Sequence, residues 1–272
     1  MGEHICFRRN ERLATVNPYW RGNPMVRGRF FNRQHRFRPG MGSVLKWRLS
    51  PNPQRKEKKT VKWDPKVCYL RSLDVVVGDS LIWLGHNSFF LQLAGKRIMF
   101  DPVFGSIPFV KRQSEFPANP DIFTGIDYLL ISHDHFDHLD KQSITRLLNN
   151  NPQMKLFCGL GTGELIQSWF PEMKVIEAGW YQQLEDEELK ITFCRHSTGA
   201  NVPCVTEGSG CGALSCCRDM VSLFIIVEIQ DILAISGKSR NCSELRIMLC
   251  WVSARINPAG SCVPIISLLM NH

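Results

Sequence analysis

Short runs of apolar and aromatic residues, separated by turn-forming residues, follow one another through the middle of the chain. Their length and their content of β-branched and aromatic residues are typical of strands. The predicted strands are 80–85, 88–93, 97–100, 126–132, 154–157, 174–177 and 189–193. Ala94-Gly-Lys96 has the composition of a hairpin turn between the second and the third of them.

Two segments between these strands have the features of helices instead. Ile144, Leu147 and Leu148 have the i, i+3, i+4 spacing of one face of a helix over 141–148. Thr162 is a suitable N-cap for a second helix over 163–170. Hairpin strands followed by strand–helix–strand units predict a sheet covered by helices, so the expected fold class is α/β.

The positive charge of the chain is concentrated in its first quarter. The 272 residues carry a formal net charge of +8, yet residues 1–75 hold 18 lysines and arginines against 5 acidic residues. That part therefore carries +13 and the remainder −5. Such a basic segment is typical of contact with phosphate groups, in anionic lipid or in nucleic acid. The alternative is a solvated extension over residues 1 to about 40.

Neither an export signal nor a membrane span is visible in the sequence. The start Met1-Gly-Glu-His-Ile-Cys-Phe lacks the apolar core of a signal peptide, and Cys6 stands where a myristoylation motif has serine or threonine. The long apolar run 221–227 is far too short to cross a bilayer. We therefore expect a cytoplasmic protein whose contact with membranes, where it occurs, is peripheral.

Candidate metal ligands are clustered in Ile131-Ser-His-Asp-His-Phe-Asp-His-Leu-Asp140. His133 and His135 point the same way at a strand end, and Asp137 and His138 follow where the backbone must turn. Imidazole and carboxylate are ligands that Zn²⁺ prefers, so this stretch can hold two zinc ions with an activated water between them. The loop after a strand is where α/β folds place their chemistry. The alternative is a histidine-rich surface turn.

Four separate strings in the first two thirds of the chain point to one family. They are Trp83-Leu-Gly-His-Asn-Ser88, Asp101-Pro102, the motif His133 to His138, and Ala178-Gly-Trp180. Together they closely resemble the metallo-β-lactamase-fold hydrolases related to N-acyl phosphatidylethanolamine-hydrolysing phospholipase D. The resemblance runs from about Phe37 to Phe193. It implies an αβ/βα sandwich of two similar halves, with a two-zinc site in the cleft between them.

The resemblance also implies roles for individual residues. The implied zinc ligands, in two pairs, are His133 with His135 and Asp137 with His138. Asp137 would in addition be catalytic, because it would orient the nucleophile. Asp101 and His86 would belong to the shell around the ligands. From its residue type alone, His86 is better explained as a hydrogen-bonded core histidine.

After Phe193 the chain departs from the family. The family's second half supplies ligands in Pro-Ala-Gln-His-Trp, Gly-Asp-Thr-Gly-Tyr and Pro-x-His, and none of these strings occurs there. Eight of the eleven cysteines lie from Cys194 onward. One interpretation is a zinc or disulfide module, although no Cys-x-x-Cys pair is present. Another is a divergent second half in which His196, Asp219 or Asp231 replaces the missing ligands.

A third interpretation, which we favour, is a shift of reading frame near Arg195. When the third base of each codon is joined to the first two of the next, 194–203 can encode Pro-Ala-Gln-His-Trp-Ser-Lys-Arg-Ser. The same offset lets 227–232 encode Gly-Asp-Thr-Gly-Tyr, and lets 254–267 encode a string like the family's late histidine segment. One offset thus recovers all three missing motifs in order.

The sequence therefore predicts a metallo-β-lactamase αβ/βα sandwich with only its first half intact. The predicted parts are a basic extension and lead-in at 1–75, the first half of the domain at 76–194, and an aberrant cysteine-rich tail at 195–272. We expect that tail to be non-native or disordered, since a segment read out of frame has no selected hydrophobic period.

The predicted function is zinc-dependent hydrolysis of a phospholipid or another phosphodiester, as in N-acyl phosphatidylethanolamine phospholipase D. The intact family holds two zinc ions, whereas we expect one or none in this chain and hence little or no activity. The alternatives are another hydrolase of this fold, such as a nuclease or lactonase, and a non-catalytic truncated product. Nucleic acid is the less favoured substrate, because the strings at 83–88 and 178–180 resemble the phospholipase-related group. The sequence gives no indication of an oligomeric state.

Overall fold

Two six-stranded sheets dominate the fold in the computed structural model. The described residues are 4–31, 41–52, 55–60, 67–107, 112, 114–186, 189–197, 221–230, 244–249 and 267–269. The strands are β1 (Cys6–Arg8), β2 (Ala14–Thr15), β3 (Asn23–Val26), β4 (Arg29–Phe30), β5 (Ser80–Gly85), β6 (Ser88–Leu93), β7 (Lys96–Phe100), β8 (Tyr128–Ile131), β9 (Lys155–Gly159), β10 (Lys174–Ala178), β11 (Gln182–Asp186), β12 (Leu189–Ser197), β13 (Val221–Gln230), β14 (Glu244–Leu249) and β15 (Ser267–Leu269). The α-helices are α1 (Met41–Leu49), α2 (Arg55–Thr60), α3 (Lys141–Asn150) and α4 (Gly163–Trp169). Short 3-10 turns lie at Leu73–Val75 and Pro120–Ile122.

The first sheet has the strand order β10-β9-β8-β7-β6-β5. Strands β5, β6 and β7 form antiparallel hairpins, whereas β7, β8, β9 and β10 run parallel. Successive residues of these strands enter opposite clusters: Phe89 and Leu91 face one side and Phe90 faces the other. Both faces are therefore covered, which explains why the strands read as continuous apolar runs.

Helices α3 and α4 cover one face of this sheet. Ile144 and Leu147 of α3 and Ile166 of α4 are fully buried in the same cluster as Met99 and Leu129 of the sheet. The carboxylate of Asp140 accepts a hydrogen bond from the Ser143 N–H at 3.0 Å and so caps α3. This confirms the helix that the i, i+3, i+4 spacing predicts.

Thr162 lies at the N-cap position of α4, as the sequence predicts, but its side chain does not cap the helix. Thr162 has helical backbone angles and makes no side-chain capping bond. The carboxylate of Glu177 instead accepts hydrogen bonds from the N–H groups of Gly161 and Gly163, at 2.8 and 2.7 Å. A long-range partner from β10 thus satisfies the donors that a local cap usually satisfies.

The second sheet has the order β15-β14-β13-β12-β11-β2 and packs on the other face of the first. Leu189, Ile191 and Phe193 of β12 are buried among residues of the first sheet, and the rings of Phe157 and Phe193 meet edge-on with centroids 4.4 Å apart. Beyond residue 197 the structure describes the backbone of β13, β14 and β15, each antiparallel to the strand before it. The prediction for the rest of 195–272 lies outside the described residues.

Residues 4–31 pack against the domain and are not a solvated extension, contrary to the alternative considered for residues 1 to about 40. Strands β1, β3 and β4 form a small sheet, and β2 extends the second sheet by pairing with β11. The Asn10 N–H donates to Oε1 of Gln182, and the Trp180 N–H donates to Oδ1 of Asn23, both at 2.8 Å. Polar side chains hold this basic segment because they satisfy buried backbone groups. Within the described ranges, no helix is long and apolar enough to cross a bilayer.

Candidate metal centre

Three strand ends meet at one edge of the first sheet. Strands β5 and β7 are both antiparallel to β6, and β8 is parallel to β7, so all three end at the same edge. The residues that follow these ends are His86 and Asn87 after β5, Asp101 after β7, and the segment 132–138 after β8. Sequence positions more than forty residues apart are thereby brought together, where ligands bind in open α/β sheets.

The backbone is strained at two of these positions. His86 has φ 47° and Asp101 has φ 37°, a left-handed conformation that costs a non-glycine residue about 1–3 kcal/mol. The Trp83 indole N–H donates to the His86 carbonyl at 2.9 Å, and the Asp101 N–H donates to the Leu130 carbonyl at 3.0 Å. These contacts hold the two side chains in the edge cluster, and strain of this kind concentrates at functional sites.

A buried network surrounds the carboxylate of Asp101. Its Oδ1 accepts from the Ser132 N–H at 2.8 Å, and its Oδ2 lies 2.5 Å from the Ser132 hydroxyl and 2.9 Å from Nδ1 of His138. Asp101, Ser132 and His138 are 2%, 6% and 4% exposed. A carboxylate that accepts a hydrogen bond from Nδ1 of a histidine places the lone pair on Nε2, the nitrogen that then ligates a metal.

On the other side of His138 lies a group that could hold a metal ion. His86, Asp137 and His138 each offer one atom that could ligate a metal, and these three atoms lie within 4.8 Å of one another. Nε2 of His86 lies 3.2 Å from Oδ2 of Asp137, and Nε2 of His138 lies 3.7 Å from the same oxygen. The Asn87 amide nitrogen lies 3.0 Å from Nε2 of His86 and 2.9 Å from Nε2 of His138.

With the Asn87 amide oriented as in the structure and the imidazoles neutral, the contacts among His86, Asn87, Asp137 and His138 do not all pair a donor with an acceptor. If Nε2 of His86 is protonated, its contact with the Asn87 amide joins two donors. If it is not, its contact with the Asp137 carboxylate joins two acceptors. Nε2 of His138 likewise faces that carboxylate with a lone pair, because Nδ1 donates to Asp101. Lone pairs that converge in this way are stabilised by a cation, so the residues fit a metal ion.

The other predicted ligand pair lies directly beside this group. The ring of His133 is 4% exposed, and its centroid lies 3.8 Å from that of His138 and 4.7 Å from that of His135. His135 is half-buried. The structure therefore brings the four predicted ligands together with His86 in one continuous cluster. Their assignment to two separate ions stays a prediction.

The surroundings favour the neutral forms of His133 and His135 and the ionised form of Asp137. Burial lowers the pKa of His133 well below its ordinary value, and neighbouring His138 and His135 lower it further. Burial also lowers the pKa of His135. Burial alone would raise the pKa of Asp137, but the hydrogen bond from His86 and the charges of His138 and His86 lower it overall. Neutral imidazoles and a carboxylate are the protonation states that metal binding requires.

Asp134, which the sequence motif leaves unassigned, differs from Asp137. Burial raises its pKa to about 6. Asp134 follows His133 and precedes His135 in the sequence, and its side chain is half-buried. The motif thus contains two carboxylates in different environments, of which Asp137 is the one within reach of His86 and His138.

Sequence patterns missed two residues of the centre and gave a third a lesser role. Ser132 and Asn87 are buried and contact the predicted ligands, but serine and asparagine beside a strand end are too common to stand out. The resemblance places His86 in the shell around the ligands, yet its Nε2 lies closer to Oδ2 of Asp137, at 3.2 Å, than Nε2 of His138 does, at 3.7 Å. The strained turn after Gly85, which is at φ 94°, aims it there.

The fold and this cluster define a class of protein. Residues 96–209 match the family model described as Beta-lactamase superfamily domain. This part of the chain is thus similar to metallo-β-lactamase-fold domains, which confirms the predicted resemblance, and the two sheets with their helices confirm the predicted α/β fold class. Proteins described as metal-dependent hydrolases are among the relatives to which it is similar.

The chain is also similar to individual proteins. The chain is 38% identical over 85 residues to N-acyl-phosphatidylethanolamine-hydrolyzing phospholipase D 1 of Caenorhabditis elegans, covering 29% of this chain and 24% of that one. It is 29% identical over 125 residues to a UPF0173 metal-dependent hydrolase of Metallosphaera sedula, covering 44% and 52%. A solved metallo hydrolase from Ignicoccus hospitalis is 18% identical with a TM-score of 0.37, covering 55% of each chain. The chain thus spans between about a quarter and about half of these curated relatives.

Proposed function

We propose that this protein belongs, by its lineage, to hydrolases that use zinc to cleave phosphodiesters such as N-acyl phosphatidylethanolamine. The observation that carries the proposal is the convergence of His86, Asp137 and His138 beside His133 and His135 at one sheet edge. Similarity to the nematode phospholipase, whose matched segment is 38% identical, supports a lipid phosphodiester as the substrate.

Each part of the cluster has a role in this proposal. His133 with His135, and Asp137 with His138, would hold two zinc ions, and His86 adds a donor to the second pair. When bound, zinc supplies Lewis-acid chemistry that activates water and stabilises negative charge on the phosphoryl oxygens. Asp137 is ionised near neutral pH and can accept a hydrogen bond from the attacking water, which orients that water toward phosphorus.

The chain as written is proposed to have little activity. The strings that supply the family's second set of ligands are absent after Phe193, and a half-site without closing ligands loses chelate geometry. We expect at most one weakly held zinc ion per chain, as measured by elemental analysis after dialysis against a weak chelator. Two tightly held ions would overturn this and favour a divergent second half instead.

Contact with an anionic membrane is proposed for the helices that precede the domain. Met41, Leu45 and Leu49 recur every four residues along α1 and are 85%, 58% and 74% exposed. Arg55 and Lys59 of α2, which follow closely, are also exposed. An apolar stripe next to basic residues is typical of a segment that lies on a lipid surface with negative charge.

A substrate panel tests the proposed activity. A version of the chain with the frame shifted at codon 195 should hydrolyse N-acyl phosphatidylethanolamine, and Asp137→Asn in that version should remove most of the turnover. Substituting Asn keeps the volume of the side chain, so the fold should be retained. Cleavage of RNA or of a lactone without lipid hydrolysis would identify one of the alternative hydrolases of this fold.

A further inference from the structure

We propose that Ser132 is a positioning residue that sets the tautomers of His133 and His138 together, and so couples the two halves of the candidate metal centre. The consequence for metal binding rests on the proposed function, whereas the tautomers themselves do not. The inference rests on the burial of Ser132 and of the three residues around it, which are Asp101, His133 and His138. It also rests on the number of protons that these four side chains can donate.

Ser132 lies at the junction of the two halves. It follows β8 directly and precedes His133 in the chain, and its hydroxyl oxygen lies 2.5 Å from Oδ2 of Asp101. The same oxygen lies 2.9 Å from Nδ1 of His133 and 3.2 Å from Nδ1 of His138. All four residues are at most 6% exposed, so water cannot easily replace any of these contacts.

The direction of each hydrogen bond follows from the donors. Three polar groups surround the Asp101 carboxylate, one of them the Ser132 N–H, which can only donate. An ionised carboxylate only accepts, so the Ser132 hydroxyl gives its single proton to Oδ2 at the short distance of 2.5 Å. The hydroxyl oxygen then has only lone pairs left for its other neighbours.

Both histidines must consequently carry their proton on Nδ1. Nδ1 of His133 faces the hydroxyl oxygen, which can now only accept from it. Nδ1 of His138 donates to Oδ2 of Asp101 at 2.9 Å. Nε2 is therefore the lone-pair nitrogen of both rings, and for His138 this agrees with the Asn87 amide nitrogen at 2.9 Å, which donates to it.

A single serine thus links the ligand pair His133–His135 to the pair Asp137–His138. Removing its hydroxyl would leave Nδ1–H of His133 without an acceptor in a buried place, while the Asp101–His138 bond would remain. We therefore expect the His133 ring to lose its fixed tautomer and the His138 ring to keep it. Partners of this kind typically change metal affinity by about 10–100-fold when they are removed.

Nitrogen NMR of the metal-free full chain labelled at histidine tests the inference. Imidazole ¹⁵N shifts report the tautomer directly, and His133→Gln and His138→Gln assign the two rings. In the unsubstituted protein both rings should be protonated on Nδ1. In Ser132→Ala, His133 should become a mixture of tautomers and His138 should not change. In Ser132→Thr, which keeps the hydroxyl, both should stay as they were.

Ser143→Ala is the matched control, because Ser143 is also a buried serine with a bonded hydroxyl, 2% exposed, that contacts Asp140 and Phe104 instead. It should lower the unfolding temperature as Ser132→Ala does, but leave both tautomers unchanged. An Nε2-protonated His133 in the unsubstituted protein, or an unchanged His133 in Ser132→Ala, would overturn the inference.

Titration with Cd²⁺, followed through the ¹⁵N shifts of His133 and His138 so that binding to cysteines is not counted, separates this inference from the proposed function. Ser132→Ala should weaken Cd²⁺ binding by about 10–100-fold relative to Ser143→Ala. If the tautomers behave as expected and no variant binds Cd²⁺ at all, the metal centre fails and the role of Ser132 in positioning the rings stands. If Cd²⁺ binds equally to both variants, the coupling of the two halves is wrong.

Discussion

At the scale of single residues, the centre depends on polar groups that are buried together. Sequence spacing predicts His133, His135, Asp137 and His138, because a dense cluster of ligand side chains after a strand is rare by chance. It cannot predict that Ser132 contacts two of these rings, since that contact depends on the strand pairing that brings Asp101 alongside it. The role of a common residue such as Ser132 therefore depends on the residues that the fold places beside it.

The buried thiol of Cys158 provides a test at this scale. Burial, assisted by the charge of Glu177, raises the pKa of Cys158 well above its usual value. The thiolate is the reactive form, so at mildly alkaline pH Cys158 should resist alkylation by iodoacetamide while exposed Cys6 and Cys68 react. Mass spectrometry of the labelled peptides, with and without urea, measures this. Equal labelling of Cys158 and Cys68 in the native protein would contradict the described core.

At the scale of elements, apolar period and turn residues predict the first sheet well. Strands β5 and β6 have the predicted bounds, and the other predicted strands differ by a few residues at their ends. Strand β11 is missed because Gln182–Asp186 is mostly polar, and it forms through pairing with β2 and β12. Helices α1 and α2 are missed because the apolar residues in the sequence of α1 are not confined to one helical face and the sequence of α2 contains none. The local sequence pattern thus predicts elements whose side chains enter the core, but not a polar strand that forms by pairing with its neighbours.

Helix α1 makes a prediction of its own. If its exposed apolar stripe contacts lipid, Leu45→Glu should weaken binding to vesicles of phosphatidylcholine and phosphatidylserine by about tenfold or more, because burying a leucine contributes roughly 1.5–3 kcal/mol. Sedimentation with vesicles measures the binding, which should also fall as salt rises. Val77→Glu is the control, since Val77 is an exposed apolar residue outside the helix, at 85%. Equal loss in both variants, or no binding by the unsubstituted protein, would leave α1 without this role.

At the scale of the whole molecule, the two sheets share one apolar interior up to β12. Among the described residues, Phe193 is the last one whose side chain lies in that interior. The resemblance to the family ends at the same residue, and the strings that only a shifted frame would encode begin directly after it. The resemblance to the family could predict the sandwich and its first half, because the strings at 83–88, 101–102, 133–138 and 178–180 resemble those of the family. It could not predict the packing of the remainder, since the family's ligand strings are absent after Phe193.

The shifted frame makes the last prediction. A chain that changes frame at codon 195 should regain Pro-Ala-Gln-His-Trp, Gly-Asp-Thr-Gly-Tyr and the late histidine string, and with them the ligands that close both half-sites. It should hold two zinc ions where the chain as written holds at most one, and its unfolding temperature should fall when a chelator removes the metal, because binding to the folded state alone stabilises that state. Elemental analysis and thermal unfolding, with Asp137→Asn in the same background as the control that retains the fold, measure both effects. The nucleotide sequence around Cys194 and Arg195 provides an independent check, and codons there that cannot encode Pro-Ala in the shifted frame would sink the idea.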